Sequence, residues 1–463
     1  MLQSLFLLLT VAGMPIAIAM SAAALIYIMI SGNLPPFVVI HRMISGIDSF
    51  PLLAVPFFIL AGNLMNNAGI TNRIFDIAMA LVGWLKGGLG HVNVVASIIF
   101  SGMSGTAIAD AAGLGTIEVK AMKDRGYSAE FAVGVTAASA TLGPIIPPSL
   151  PIVIYAMLAN VSVGGMFLAG IVPGIMIALL LMAMVTYYAW KNGWGGDEKF
   201  VSSRFVRGLL EVAIVIGWPL GLWLLVQAGA PPRTTVFIGL ALLFLADWKF
   251  RFTAVLPMMT PILLIGGMTV GLFTPTEGAI AACIWAMVLG MFWYRTLNLK
   301  RTLKICLDTV ETTSVVMFIV AASSIFSWML TAEGITADVA SWILGVTDEQ
   351  WQFLLLANLL MLFVGLFLEP VAAITILVPI LLPVVLQLGI DPMHFGLVMV
   401  LNLMIGLITP PVGLVLFIMA RIGEMTLERT LVALLPWFVP LVASLIIITY
   451  VPAVTLWLPR LLQ

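Results

Sequence analysis

The sequence predicts an all-α polytopic membrane protein, and three observations predict it. Hydrophobic residues make up 62% of the chain and charged residues only 9%, whereas a soluble domain carries about 25% charged residues. The apolar residues arrive in runs near the ~20 needed to cross a bilayer as a helix; residues 2–30, 165–190, 280–294 and 431–458 show this plainly. Those runs also lack the apolar–polar alternation, in segments of about ten, of a transmembrane β-strand. The first run has no basic residue before it and exceeds a signal-peptide core, so it reads as a retained first span. Cys283 and Cys306 form neither a disulfide framework nor a metal pattern.

Charge placement orders the crossings. Basic residues cluster at Lys120, Lys123 and Arg125; at Lys191, Lys199, Arg204 and Arg207; at Lys249 and Arg251; and at Arg295, Lys300, Arg301 and Lys304. Loops rich in Lys and Arg stay in the cytoplasm. Single crossings at 209–227 and 234–245 join the second cluster to the third. An exit at 253–273 and a return at 279–294 join the third to the fourth, so the parities agree. The next exit, 309–330, ends on Glu333, Asp338, Asp348 and Glu349 without a base, as an outer loop should.

Two segments resist reading as simple spans. Residues 89–124 hold an apolar run broken by SGMSGTAIADAAGLGT, and residues 353–388 a run broken at Glu369 and Pro370. Two full crossings in either place would leave unsatisfied backbone in hydrocarbon, which is very costly; a re-entrant hairpin facing protein or a water-filled cavity avoids this. With both as hairpins the chain makes eleven crossings, N-terminus inside and C-terminus outside, and only Arg42, Arg233 and Arg460 of the basic residues fall outside.

The string GPIIPPS at 143–149 returns as GLITPPV at 406–412, an offset of 263. The same offset matches 126–128 to 389–391 and sets Thr106 against Glu369; with two residues inserted, 69–71 meets 334–336. The first hairpin begins and ends inside, beside Lys86 and Arg125, and the second begins and ends outside, so equivalent elements face opposite ways. Many secondary transporters use such an inverted-topology repeat, with the binding site near the midplane where broken helices meet. The expected division follows. Residues 1–190 form the first repeat, with scaffold helices to 85, a hairpin at 86–125, a broken helix at 127–160 and a closing helix at 165–190. Residues 191–273 hold a cytoplasmic linker and extra membrane helices. Residues 274–463 form the second repeat, with scaffold helices to 346, a hairpin at 350–388, a broken helix at 393–422 and a closing helix at 431–458.

The broken helices carry the candidate chemistry. Proline removes an amide donor and blocks helical continuation, so the breaks at Gly143-Pro144 and at Gly406 to Thr409 free carbonyls, hard oxygen donors suited to Na⁺. The threonine adds a hydroxyl. Opposite each break the repeat places a hairpin tip, with Ser101, Ser104, Gly105 and Thr106 in one half and Gly365, Glu369 and Pro370 in the other. The bland alternative is that Gly/Pro pairs merely kink membrane helices; two pairs at equivalent positions, each facing a polar hairpin, favour a site. Ionisable residues within a membrane are functional by default, so Glu369 suits proton coupling or ion coordination, and equally a tip that reaches water. Asp110 reads as a cap for the second hairpin arm, and Glu277 as part of a capping turn. His91 and His394 lack partners at ligand spacing. No phosphate-cradling glycine loop with its lysine is present, and no cluster suggests a metal enzyme or a haem. Neither catalysis nor an organic cofactor nor nucleic-acid binding is expected.

The combination of SGMSGTAIADAAGLGTIEVKAMKDRGYS, ATLGPIIPPS, GLFTPTEGA and GLITPPVG resembles the large membrane subunit of tripartite ATP-independent periplasmic (TRAP) transporters, over nearly the whole chain. The resemblance implies a Na⁺-coupled, elevator-type secondary transporter of the ion-transporter superfamily in a bacterial inner membrane. It implies a small four-helix membrane subunit and a periplasmic substrate-binding protein as partners. The implied cargo is a small organic acid: a C4-dicarboxylate, sialic acid, other sugar acid or keto acid. It places sodium at Ser104, Thr106 and Gly143, with Gly105 and Pro144 beside them, and at Glu369, Gly406 and Thr409, with Gly365. The stretch at about 209–249 departs from the usual large subunit, as two added spans that either contact the small subunit or form a peripheral insertion. Two alternatives stay open, a stand-alone organic-anion exporter or exchanger of the same superfamily and a non-transport subunit of a membrane enzyme complex.

Overall fold

The computed structural model describes every residue except 33, 228–230, 251, 270–272, 348, 412 and 463. Arg251, Asp348 and part of the 253–273 crossing therefore lie outside the described residues, as does the side chain of Arg233. The first 82 residues form α1 (Leu2–Val11), α2 (Ile16–Ser31), α3 (Phe37–Ile47), α4 (Ala54–Asn67) and α5 (Ile70–Val82). There follow α6 (Gly88–Ser104), α7 (Ala107–Ala109), α8 (Gly115–Asp124), α9 (Ala129–Ala140), α10 (Leu150–Leu158) and α11 (Val163–Asn192). The middle contributes α12 (Ser202–Gln227), α13 (Pro232–Phe250), α14 (Val255–Thr269) and α15 (Pro275–Met287). The remainder is α16 (Leu299–Ala332), α17 (Ile335–Val346), α18 (Gln350–Gly365), α19 (Pro370–Gln387), α20 (Pro392–Leu407), α21 (Leu414–Gly423), α22 (Leu427–Tyr450) and α23 (Ala453–Leu462). Among the described residues the sole β feature is a bridge between Lys86 and Gly196. Among the described residues, five helical segments are each long and apolar enough to span a membrane, which fits a multi-pass membrane protein.

Two of the apolar runs are not single helices. Residues 2–30 were expected as one span, but Gly13, at φ +87°, and Pro15 end α1 and start α2, and α1 packs against α2. These two helices share a satellite core with α3 and α16, in which Leu2, Met20, Ile28, Phe326 and Met329 are buried. The last run ends its first helix at Tyr450; Pro452 follows, and α23 packs on α11.

Helix starts are set by side chains that accept otherwise orphaned amides. Ser128 caps α9, Ser149 caps α10, and Asp391 caps α20. Glu277 behaves as expected: Thr274 accepts from its amide, and its carboxylate accepts the Thr274 N–H at 2.8 Å, a capping box. Asp110 does not. Thr106 caps the second arm of the first hairpin, accepting from Ala109 N at 3.2 Å, while Asp110 lies one turn further on, buried.

The added helices are joined to the rest rather than appended. α12 packs on α5 and α14, and α13 on α12 and α14. The Glu211 carboxylate of α12 accepts the amides of Thr253 and Ala254, each at 2.9 Å, and so caps α14. Ile216, Leu225, Ile238, Leu242 and Leu245 stay exposed, as lipid-facing side chains would.

Removing the hydroxyl of the capping box by Thr274→Ala is expected to cost about 1 kcal/mol, read as a lower thermal midpoint of the purified chain, with Thr274→Ser restoring most of it.

Candidate functional site

The two hairpins are formed by α6 with α7–α8 and by α18 with α19; the two broken helices are α9–α10 and α20–α21. Each tip rests on the break of its own half. In the first, Gly105 takes φ +64°, a turn that suits glycine, and Thr106 becomes extended. A methyl built on Gly105 would stand 2.5 Å from the Pro148 carbonyl oxygen, and one on Gly143 would stand 3.0 Å from the Thr106 carbonyl. In the second half a methyl on Gly406 would stand 2.6 Å from the Gly365 oxygen. Backbone thus meets backbone in both places, and glycine is what permits it. The Pro-Pro pair of each break, Pro147-Pro148 and Pro410-Pro411, carries a cis peptide bond.

The predicted site residues divide into two groups. Ser104, Thr106, Pro144, Glu369 and Pro370 line a cavity of about 430 Å³. Gly105, Gly143, Gly365, Gly406 and Thr409 lie at or beside the tip–break contacts and do not line it. Ser104 is buried and its hydroxyl has no hydrogen-bond partner among the described residues. The Ser101 hydroxyl instead donates back along α6 to the Ser97 carbonyl. The Thr409 hydroxyl donates to Ile405 O at 2.6 Å, leaving its lone pairs toward other partners. The Pro144 carbonyl freed by the break is taken by the Ser149 hydroxyl. Glu369 is a helix cap, accepting Val371 N at 3.0 Å and Ala372 N at 3.3 Å, and it also reaches the cavity.

The far wall of the cavity was not legible beforehand. It comes from α4, through Gly62, Asn63 and Asn66, and from α16, through Thr312 and Val316. Asn63 ties these helices together by donating to Thr309 Oγ1 at 3.0 Å, and Asn66 Oδ1 accepts from Thr71 at 3.1 Å. The signal was present as GNLMNN, polar amides three apart in an apolar helix. No Lys, Arg or His is among the described residues lining the cavity.

A second polar layer lies behind each tip. In the first half Asn93 of α6 donates to Glu118 Oε2 at 2.6 Å and Thr136 Oγ1 at 2.7 Å, and accepts from Ser139 at 2.7 Å. In the second, Asn402 of α20 donates to Asn358 Oδ1 of α18 at 2.7 Å, and Asn358 donates to Thr449 at 3.1 Å. His394 joins that layer through Thr455 Oγ1 at 2.9 Å and Thr449 O at 3.2 Å. Asn93 and Asn358 are 265 residues apart and Ser139 and Asn402 are 263 apart, the two offsets already seen.

Paired hairpin tips and broken helices around one midchain cavity define a membrane transport subunit. The chain belongs to the family described as the tripartite ATP-independent periplasmic transporter, DctM component, which it matches over residues 3–454. It is 40% identical over 450 residues to the sialic acid TRAP transporter large permease protein SiaM of Vibrio cholerae, covering 97% of this chain and 96% of that one. It is 36% identical over 419 residues to the C4-dicarboxylate TRAP transporter large permease protein DctM of Pseudomonas aeruginosa, covering 90% and 88%. These relatives are transporter permeases, not enzymes. Among solved structures it resembles the YdaH transporter of Alcanivorax borkumensis, with a TM-score of 0.59 at 15% identity, covering 88% of this chain and 86% of that one; the likeness is one of fold.

Gly406→Ala is expected to force the second tip off its break and destabilise the chain by about 1–3 kcal/mol, seen as a lower melting midpoint. Gly345→Ala, where a methyl meets nothing within 4 Å, should not lower it.

Proposed function

We propose that the chain is the large membrane subunit of a Na⁺-coupled TRAP importer, carrying a small organic acid handed to it by a periplasmic binding protein. The observation that carries this reading is the cavity itself, walled on one side by both hairpin tips and on the other by α4 and α16. A solute there touches two bodies, and sliding of the hairpin body past α4 and α16 would open the cavity to one side of the membrane and then the other. The hairpins and broken helices are the moving body in this scheme, and α1–α5 and α15–α17 belong to the scaffold, which docks the small membrane subunit. The chain sits in the inner membrane with its N-terminus cytoplasmic and its C-terminus periplasmic, as the loop charges favour.

Sodium would be held where each tip meets its break, at Ser104, Thr106 and Gly143 and at Glu369, Gly406 and Thr409. Hydroxyl, carbonyl and carboxylate oxygens are donors suited to a hard cation. Bound there, the ions would lend the cavity the positive charge that its own side chains lack, and helix N-termini would add donors for an anion. The names of the relatives favour sialic acid or a C4-dicarboxylate as cargo.

Reconstituted with its small subunit and cognate binding protein, the chain should take up labelled organic acid only under an inward Na⁺ gradient. Thr409→Ala should raise the Na⁺ concentration for half-maximal uptake. Uptake that proceeds unchanged in choline would exclude sodium coupling, and uptake without the binding protein would favour an exchanger.

A further inference from the structure

The polar layers behind the two tips differ in one respect. The first contains two acids, Asp110 and Glu118, each 1% exposed. At the positions 263 residues later stand Ala373 and Leu381, both fully buried. The second half therefore builds the same hairpin against the same kind of broken helix without either acid. Packing does not require them.

Three features set these acids apart from satisfied core residues. Asp110 Oδ2 and Glu118 Oε1 are buried and accept no hydrogen bond from the described residues. The two carboxylates lie eight residues apart on one hairpin arm, and no Lys or Arg among the described residues forms an ion pair with either. Lys120 and Lys123 on α8 and Arg421 on α21 are exposed, and His91 on α6 turns toward Thr186. The backbone also departs from a regular helix at this point. Residues Asp110–Leu114 form a π-helical turn, with Gly115 N bonding to Asp110 O. A wider turn rotates less per residue than an α-turn, and this turns Asp110 toward the face of the arm on which Asn93 donates to Glu118. The corresponding arm of the second half, α19, is helical from Pro370 to Gln387 without such a turn.

Two buried like charges with free oxygens and no basic partner are strongly unfavourable unless a positive charge accompanies them. We propose that Asp110 and Glu118, with the hydroxyls and amide around them, form a cation site for Na⁺, separate from the tip–break contacts and present in the first half alone. The available donors are carboxylate, hydroxyl and amide oxygens, a hard set without sulfur or imidazole. A dehydrated interior suits a monovalent ion better than Mg²⁺, which gives up its waters reluctantly.

The test reads binding rather than uptake, so it is independent of partners and cargo. The purified full chain is melted while NaCl replaces choline chloride at constant ionic strength. Asp110→Asn and Glu118→Gln should each raise the Na⁺ midpoint of the stabilisation by about tenfold or more. The double variant Asp110→Ala/Glu118→Leu, which carries the residues of the second half, guards against misfolding. It should melt above the wild type in choline and gain less from sodium. Thr409→Ala, at the second tip–break contact, should leave the component lost in the acid variants intact. Equal sodium responses in the wild type and all three acid variants would overturn the site. So would stabilisation of the wild type by acid rather than by sodium, since the compensating charge would then be a proton.

Discussion

Everything in this structure depends on the rule that a backbone amide or carbonyl inside a bilayer must be matched by protein. A transporter needs gaps in its helices, because only there are backbone groups free to bind an ion. Each gap is therefore a liability that another element has to cover. Here the cover is mutual: the Thr106 tip lies on the Gly143 break, and Gly365 lies on Gly406. Gly143, Gly365 and Gly406, unlike Gly105, do not take the left-handed conformation of a turn. They remove the side chain that would hold two backbones apart, and a methyl at Gly406 would stand 2.6 Å from a carbonyl oxygen.

The same rule explains why polar side chains gather behind the tips. Asn93 and Ser139 in one half, and Asn358 and Asn402 in the other, join each hairpin arm to its broken helix by buried hydrogen bonds. In a low-dielectric interior such bonds are costly to leave unmade, so they hold the arm in register on the helix it serves. The halves share this device and differ in what is added to it: acids in one, a histidine with two threonines in the other.

Much of this was legible in the sequence, for identifiable reasons. The hairpins and breaks are written in glycine, proline and small polar residues that interrupt apolar runs, and composition reports interruptions well. The capping box at Thr274 and Glu277 was likewise local. What escaped depends on distance along the chain. Asn63, Asn66 and Thr312 become cavity wall only because α4 and α16 pack together, and no local pattern marks that meeting. The assignment of Asp110 as a cap failed because Thr106, one turn earlier, already accepts the amide at Ala109, which leaves the acid to be buried. The first apolar run was long enough to cross once, but Gly13 and Pro15 divide it. Length had suggested continuity where two residues dictated a bend.

The two hairpin arms are not capped alike. Thr106 offers a neutral hydroxyl at one side of the cavity, and Glu369 offers a carboxylate at the other, where it occupies the amides of α19. A pseudo-twofold fold would ordinarily greet a visitor the same way from either end. This one presents unlike sockets, a hydroxyl on one side and a carboxylate on the other, a keyed fitting rather than a reversible plug. The asymmetry of the cavity thus comes from two residues that the repeat aligns but does not repeat.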